Sequence, residues 1–96
     1  MTANKKKLIK LFATSLNVSE NAINENLKYN EIEEWDSIGH MGLMSAIEDE
    51  FKISLETDDI IDFSSFKKGI EILTKYKVKF GWIKVRYIKI FGIMVI

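Results

Sequence analysis

Glu34-Trp35-Asp36-Ser37-Ile38-Gly39-His40-Met41, with the run that continues to Phe51, decides how this chain is read. Leu43, Met44, Ile47 and Phe51 fall at i, i+1, i+4 and i+8, one stripe of a 3.6-residue repeat, so the spacing predicts a helix with that stripe in the core. Ile38, Met41, Ser45, Glu48, Asp49 and Lys52 share the opposite, wet side. Two members of that side are out of character. Ile38 and Met41 are apolar, and with Glu48 and Asp49 along the same face they form an apolar pair rimmed by acid, which points to a docking surface for a partner. Asp36 and Ser37 stand where the helix begins, and a side-chain oxygen there accepts one of the orphan backbone N–H groups, so the plain reading of the pair is an N-cap.

Working outward, Leu8, Leu11, Phe12 and Leu16 step by three, one and four and predict an amphipathic first helix, ended by Asn17 and Ser19. Lys5, Lys6 and Lys7 before an apolar patch superficially suggest an export signal. Lys10 interrupts the patch and no small-residue cleavage site follows, so the chain is expected in the cytoplasm. From Val18 to Trp35 no period holds, and Val18, Ile23, Leu27, Ile32 and Trp35 are scattered among Asn and Glu. A loop of that length must pack with its own side chains.

On the other side, Ile53-Ser54-Leu55 leads to Glu56-Thr57-Asp58-Asp59-Ile60-Ile61-Asp62-Phe63, whose early acids suit a short helix that Thr57 could cap. Ser64 or Ser65 opens a last helix carrying Phe66, Ile70, Ile72 and Leu73. The expected fold is therefore all-α: a small four-helix, up-and-down-like bundle of three main helices and one short one.

Composition narrows the function classes. The 96 residues suit one small domain, and with no Cys and one His neither a disulfide framework nor a Cys- or His-rich metal site is available. The zero net charge hides an asymmetry: residues 1–76 hold all 14 acids against nine basic residues, a net of −5, and residues 77–96 are +5. An acidic domain is steered toward basic protein surfaces and away from nucleic acid. One His and no paired nucleophile and base argue against an enzyme.

Asp36-Ser37-Ile38, then Met41, Leu43, Ala46-Ile47-Glu48-Asp49-Glu50-Phe51 and the Ile53-Ser54-Leu55 segment together resemble the acyl and peptidyl carrier proteins over about residues 4–76. That family opens its second helix on Asp-Ser-Leu and closes it on an acidic segment ending in Phe. The resemblance implies that Ser37 receives 4′-phosphopantetheine from coenzyme A, and that the arm's thiol carries an acyl or aminoacyl group as a thioester. It further implies a phosphopantetheinyl transferase using Mg²⁺, with Asp36 helping at that metal. Acyl- or aminoacyl-loading and transferring enzymes would be the later partners, as in fatty acid biosynthesis and lipid metabolism generally. In such carriers the cargo slips between helices two and three, where Met44, Ile47, Ile60, Ile61, Phe63 and Ile70 are the candidate lining; each is equally explained as ordinary core. A monomer is expected.

Two residues depart from the family pattern. His40 lies on the core stripe at the end nearest Ser37. A helix N-terminus disfavours imidazolium, so a neutral ring could meet the thioester, but the plainer reading is a polar residue closing that stripe near solvent. Gly42 stands where fatty-acid carriers usually have an acid and costs helix stability, and the two changes together favour a dedicated carrier for a specialised pathway. No Pro opens the short helix, as one often does in carriers.

Residues 77–96 form a basic, apolar extension in which Val78, Phe80, Trp82, Val85 and Tyr87 alternate with Lys, Gly and Arg. It is too charged to span a membrane. The open readings are an extra segment lying on the acidic bundle, a strip touching a membrane surface, or an appended stretch without a role. The rival to the carrier reading is a small helical adaptor that binds a protein through Ile38, Met41 and the acids, with Ser37 only a cap.

Overall fold

The computed structural model describes residues 2–80. Four helices follow in order: α1 (Ala3–Leu16), α2 (Ser37–Phe51), α3 (Thr57–Asp62) and α4 (Phe66–Lys75), with one 3-10 turn at Glu20–Ala22. This is the small helical bundle expected, three main helices and one short.

Local chemistry sets most of the helix ends. The Thr2 side chain accepts from the Lys5 N–H at the start of α1, Asp36 from Gly39 at the start of α2, and Ser65 from Lys68 at the start of α4. α1 and α2 stop on Asn17 and Lys52, both left-handed with φ of 59° and 55°. The N–H groups of Val18 and Ile53 then reach back to Ala13 and Glu48, satisfying late carbonyls of each helix. The short helix differs from expectation at its start. Glu56 holds the N-cap position with no side-chain cap bond, and Thr57 is already the first helical residue.

Phe12 of α1 is the hub of the core. Its ring meets Trp35 edge-on at 5.1 Å, Phe66 at 5.0 Å and Phe63 at 6.1 Å, and all four aromatics are sealed from water. Leu8 and Leu16 extend the apolar stripe of α1, against Leu43, Met44 and Ile47 of α2 and Ile70 and Leu73 of α4. The long loop is tied in by side chains, as its length requires: Ile23, Leu27 and Trp35 are buried, and Val18 and Ile32 pack at the margin.

Backbone bonds add a second tie. Tyr29 N–H donates to the Ser64 carbonyl at 2.9 Å and Phe66 N–H to the Leu27 carbonyl at 2.9 Å, a single antiparallel bridge that stitches the loop to the α3–α4 connection. Gly69 makes the close approach of that connection possible. A Cβ there would lie 2.2 Å from the Phe63 ring. Past α4, Val78 and Phe80 are buried in the same core and Asn4 donates to the Lys79 carbonyl, so packing continues beyond Tyr76. The rest of the expected extension, 81–96, lies outside the described residues.

Candidate functional site

The site is the N-terminal end of α2, and its construction begins in the turn before it. Trp35 N–H donates to Ile32 and the Trp35 carbonyl accepts from Asn30, curling the chain so that the indole drops into the core beside Phe12. The next residue, Asp36, is extended, and its Oδ1 accepts the Gly39 N–H at 2.8 Å while its carbonyl accepts the His40 N–H at 2.7 Å. Ser37 is then the first helical residue, exposed beside the exposed acids Glu33, Glu34 and Asp36. Gly39 lets the loop press on this first turn, since a Cβ there would sit 2.3 Å from the Glu34 carbonyl oxygen. Gly42 has open space around it, and nothing in the packing requires a glycine there.

The apolar pair on the wet side of α2 is exposed, as its helical register implies. Ile38 is 82% and Met41 55% exposed, and Asp49 is exposed on the same helix. Glu48 departs from the expected wet-side role: it is half-buried, and its Oε2 accepts the Leu55 N–H at 2.8 Å, so this carboxylate braces the α2–α3 connection. A helical wheel shows only which face a residue is on. It does not show a loop folding back over that face.

Of the expected cargo lining, Met44, Ile47, Phe63 and Ile70 are buried together in the core and Ile60 is half-buried. Ile61 does not join them. At 74% exposed it points out of α3, because Ile60 and Phe63 already take the inward positions of a helix less than two turns long.

His40 is the residue whose place the sequence obscured. It is buried, with both ring nitrogens bonded: Nδ1 accepts from Trp35 Nε1–H at 2.9 Å, and Nε2 lies 2.8 Å from the Ile60 carbonyl oxygen. An indole N–H can only donate and a carbonyl can only accept, so the ring is neutral with its proton on Nε2. With both nitrogens spoken for, His40 is not free to take a proton from Ser37, and the Ser37 hydroxyl makes no hydrogen bond among the described residues.

A family model described as the phosphopantetheine attachment site matches residues 6–70, about two thirds of the chain, and centres on this helix. The chain belongs to that family. A search of the curated proteins gave no match. Family members hold 4′-phosphopantetheine covalently and are carriers without catalytic activity of their own. They work with phosphopantetheinyl transferases and with acyl-handling enzymes. An exposed hydroxyl on the first residue of a helix fits such a group, because the backbone N–H groups and dipole of a helix N-terminus favour a phosphate. Among the described residues no helix is long and apolar enough to cross a membrane.

Proposed function

We propose that Ser37 is the attachment point, and that the chain is a carrier presenting an acyl or aminoacyl thioester to a succession of partner enzymes in the cytoplasm. The observation that carries this is the placement of Ser37: exposed, unengaged, at the N-terminus of a helix inside the family match. When bound, the arm supplies a thiol that holds cargo as a thioester and reaches several active sites at high effective concentration. The chain's own residues supply presentation. Asp36 fixes the first turn through Gly39 and would lend its carboxylate to the transferase metal, and Trp35 roots that turn in the core. Ile38 and Met41 give the partner an apolar foothold, and Glu33, Glu34 and Asp49 a negative rim. The acyl chain lodges between α2 and α3, against Met44, Ile47 and Ile60. The carrier unit is residues 1–76, extended by the packed Val78 and Phe80, and acts as a monomer in a dedicated pathway.

Incubation with coenzyme A, Mg²⁺ and a promiscuous phosphopantetheinyl transferase tests the reading. Intact-mass spectrometry is expected to show a gain of one phosphopantetheine in the wild type and none in Ser37→Ala, with equal helicity by circular dichroism. A wild type that stays at its original mass would leave the adaptor reading, in which Ile38 and Met41 bind a protein and Ser37 merely begins the helix. A gain that persists in Ser37→Ala would move the attachment elsewhere.

A further inference from the structure

Within its own span α3 has one apolar anchor, the half-buried Ile60 packed against the core. The helix is six residues long, fully buries none of them and has no side-chain cap, and a helix of that length has no independent stability. Phe63, just past its end, is rooted under Gly69 on α4. The motion left to α3 is therefore a swing about Phe63.

Two hydrogen-bonded clasps oppose that swing, beside an ion pair of Asp62 with Lys68 at 3.4 Å. On the α4 side, Asp59 accepts from Lys75 and from the Tyr76 hydroxyl, and that hydroxyl accepts the Glu56 N–H at 3.0 Å. On the α2 side the described hydrogen bond is His40 Nε2–H to the Ile60 carbonyl. That carbonyl lies in the last turn of α3, and its other partner is the Phe63 N–H at a long 3.4 Å. His40 thus satisfies a carbonyl that the end of a short helix leaves open.

The imidazole does not travel with α3. It is fixed to the frame by the Trp35 bond, lies nearly parallel to the indole with a 21° interplanar angle, and is flanked by Tyr29 at 5.4 Å and Phe63 at 6.1 Å. One nitrogen anchors the ring to the loop and the other holds α3. We propose that His40 is a positioning residue, a latch that keeps α3 closed on α2. Releasing it opens the α2–α3 cleft without disturbing the α1–α2 and α4 frame. Its relevance to cargo entry rests on the reading above, whereas the latch itself is a property of the unmodified chain.

Two substitutions separate the nitrogens. In His40→Asn the amide oxygen stands near the place of Nδ1 and keeps the Trp35 bond while losing Ile60; in His40→Gln the longer amide reaches the place of Nε2 and keeps Ile60. Native-state hydrogen exchange on the full, unmodified chain reads the result. Amides of α3 and Phe63 are expected to exchange about tenfold faster in His40→Asn, the size of one net hydrogen bond, with α1 and α4 unchanged, and to stay near wild type in His40→Gln. Equal acceleration of all helices, equal behaviour of the two variants, or no change in α3 would each overturn the latch. A variant-free measurement guards against misfolding: ¹⁵N shifts of the wild-type ring should report Nε2–H alone, and free interchange of tautomers would also overturn it. Failure of Ser37 labelling leaves these readouts untouched, and failure of the latch leaves the mass gain untouched.

Discussion

α2 and α3 are neighbours in one bundle and are held by different forces. α2 runs for 15 residues, starts on a carboxylate cap and sinks Leu43, Met44 and Ile47 completely, each burial contributing about 1.5–3 kcal/mol. α3 runs for six residues, fully buries none, and is kept in place by a half-buried Ile60, by Phe63 beyond its end and by polar contacts. Non-directional burial makes a rigid element; directional bonds make one that can be released and re-formed. Ser37 sits on the rigid element. On the proposed reading, the attachment hydroxyl is therefore presented on a fixed platform, and the proposed adjustable wall is on the other side of it.

The largest expected effect abolishes the contrast. Trp35→Ala removes the wall of Phe12 and the donor that orients His40, so both helices lose their common footing. The expected loss is about 3–5 kcal/mol, a large part of the roughly 5–15 kcal/mol available to a folded domain. Thermal melts should show it, and α2 and α3 amides should then exchange together. Protection of α2 surviving in this variant would mean that α2 does not depend on the loop.

A smaller effect sharpens the contrast. Gly69→Ala places a methyl 2.2 Å from the Phe63 ring, which must be displaced, at a cost of about 1–3 kcal/mol. Since Phe63 is the root of α3, exchange there should accelerate while the amides around Leu43 and Ile47 keep their order. Uniform acceleration would show that Phe63 belongs to the global core rather than to α3.

The contrast also explains what a reading of residues alone can reach. The stripe of α2, the Asp36 and Ser65 caps and the exposed Ile38 and Met41 depend on neighbours three or four positions away, so periodicity displays them. The attachment family was visible for the same reason, because its signature is a contiguous helix start. What was hidden lies across the chain. His40 takes its meaning from Ile60, 20 residues on, and Glu48 from Leu55, where the connection folds back. In α3 the period cannot decide between Ile60 and Ile61, since six residues give fewer than two turns. Val78 and Phe80 alternate with lysines like a strand, yet their side chains finish the core of a helical bundle. Alternation specifies only that every second side chain is apolar; what covers it comes from the tertiary fold.

The smallest expected effect tests the polar half of the contrast by titration. Asp59 is held below its ordinary 3.8, first by the hydrogen bond from Lys75 and then by that from Tyr76. Lys75 is raised above 10.5 and Tyr76 above 10.0, each chiefly by its bond to Asp59. A carboxylate with a depressed folded value contributes stability above its unfolded value and loses it as pH falls through the folded one. The raised groups contribute below their unfolded values and lose it as pH rises through the folded ones. The α4-side clasp should therefore be intact between 3.8 and 10.0 and loosen on either side. Glu25, also held down by its hydrogen bond to Lys5, supplies a control between α1 and the long loop, far from α3 in the chain. On acidification below 3.8 the Glu56 amide, bonded to the Tyr76 hydroxyl, should gain exchange beyond its intrinsic pH dependence while α2 amides do not. In Tyr76→Phe that pH step should shrink, because the Glu56 bond is already gone. An unchanged step would assign the acid sensitivity of α3 to carboxylates other than Asp59, among them Asp62, which pairs with Lys68 of α4 at 3.4 Å.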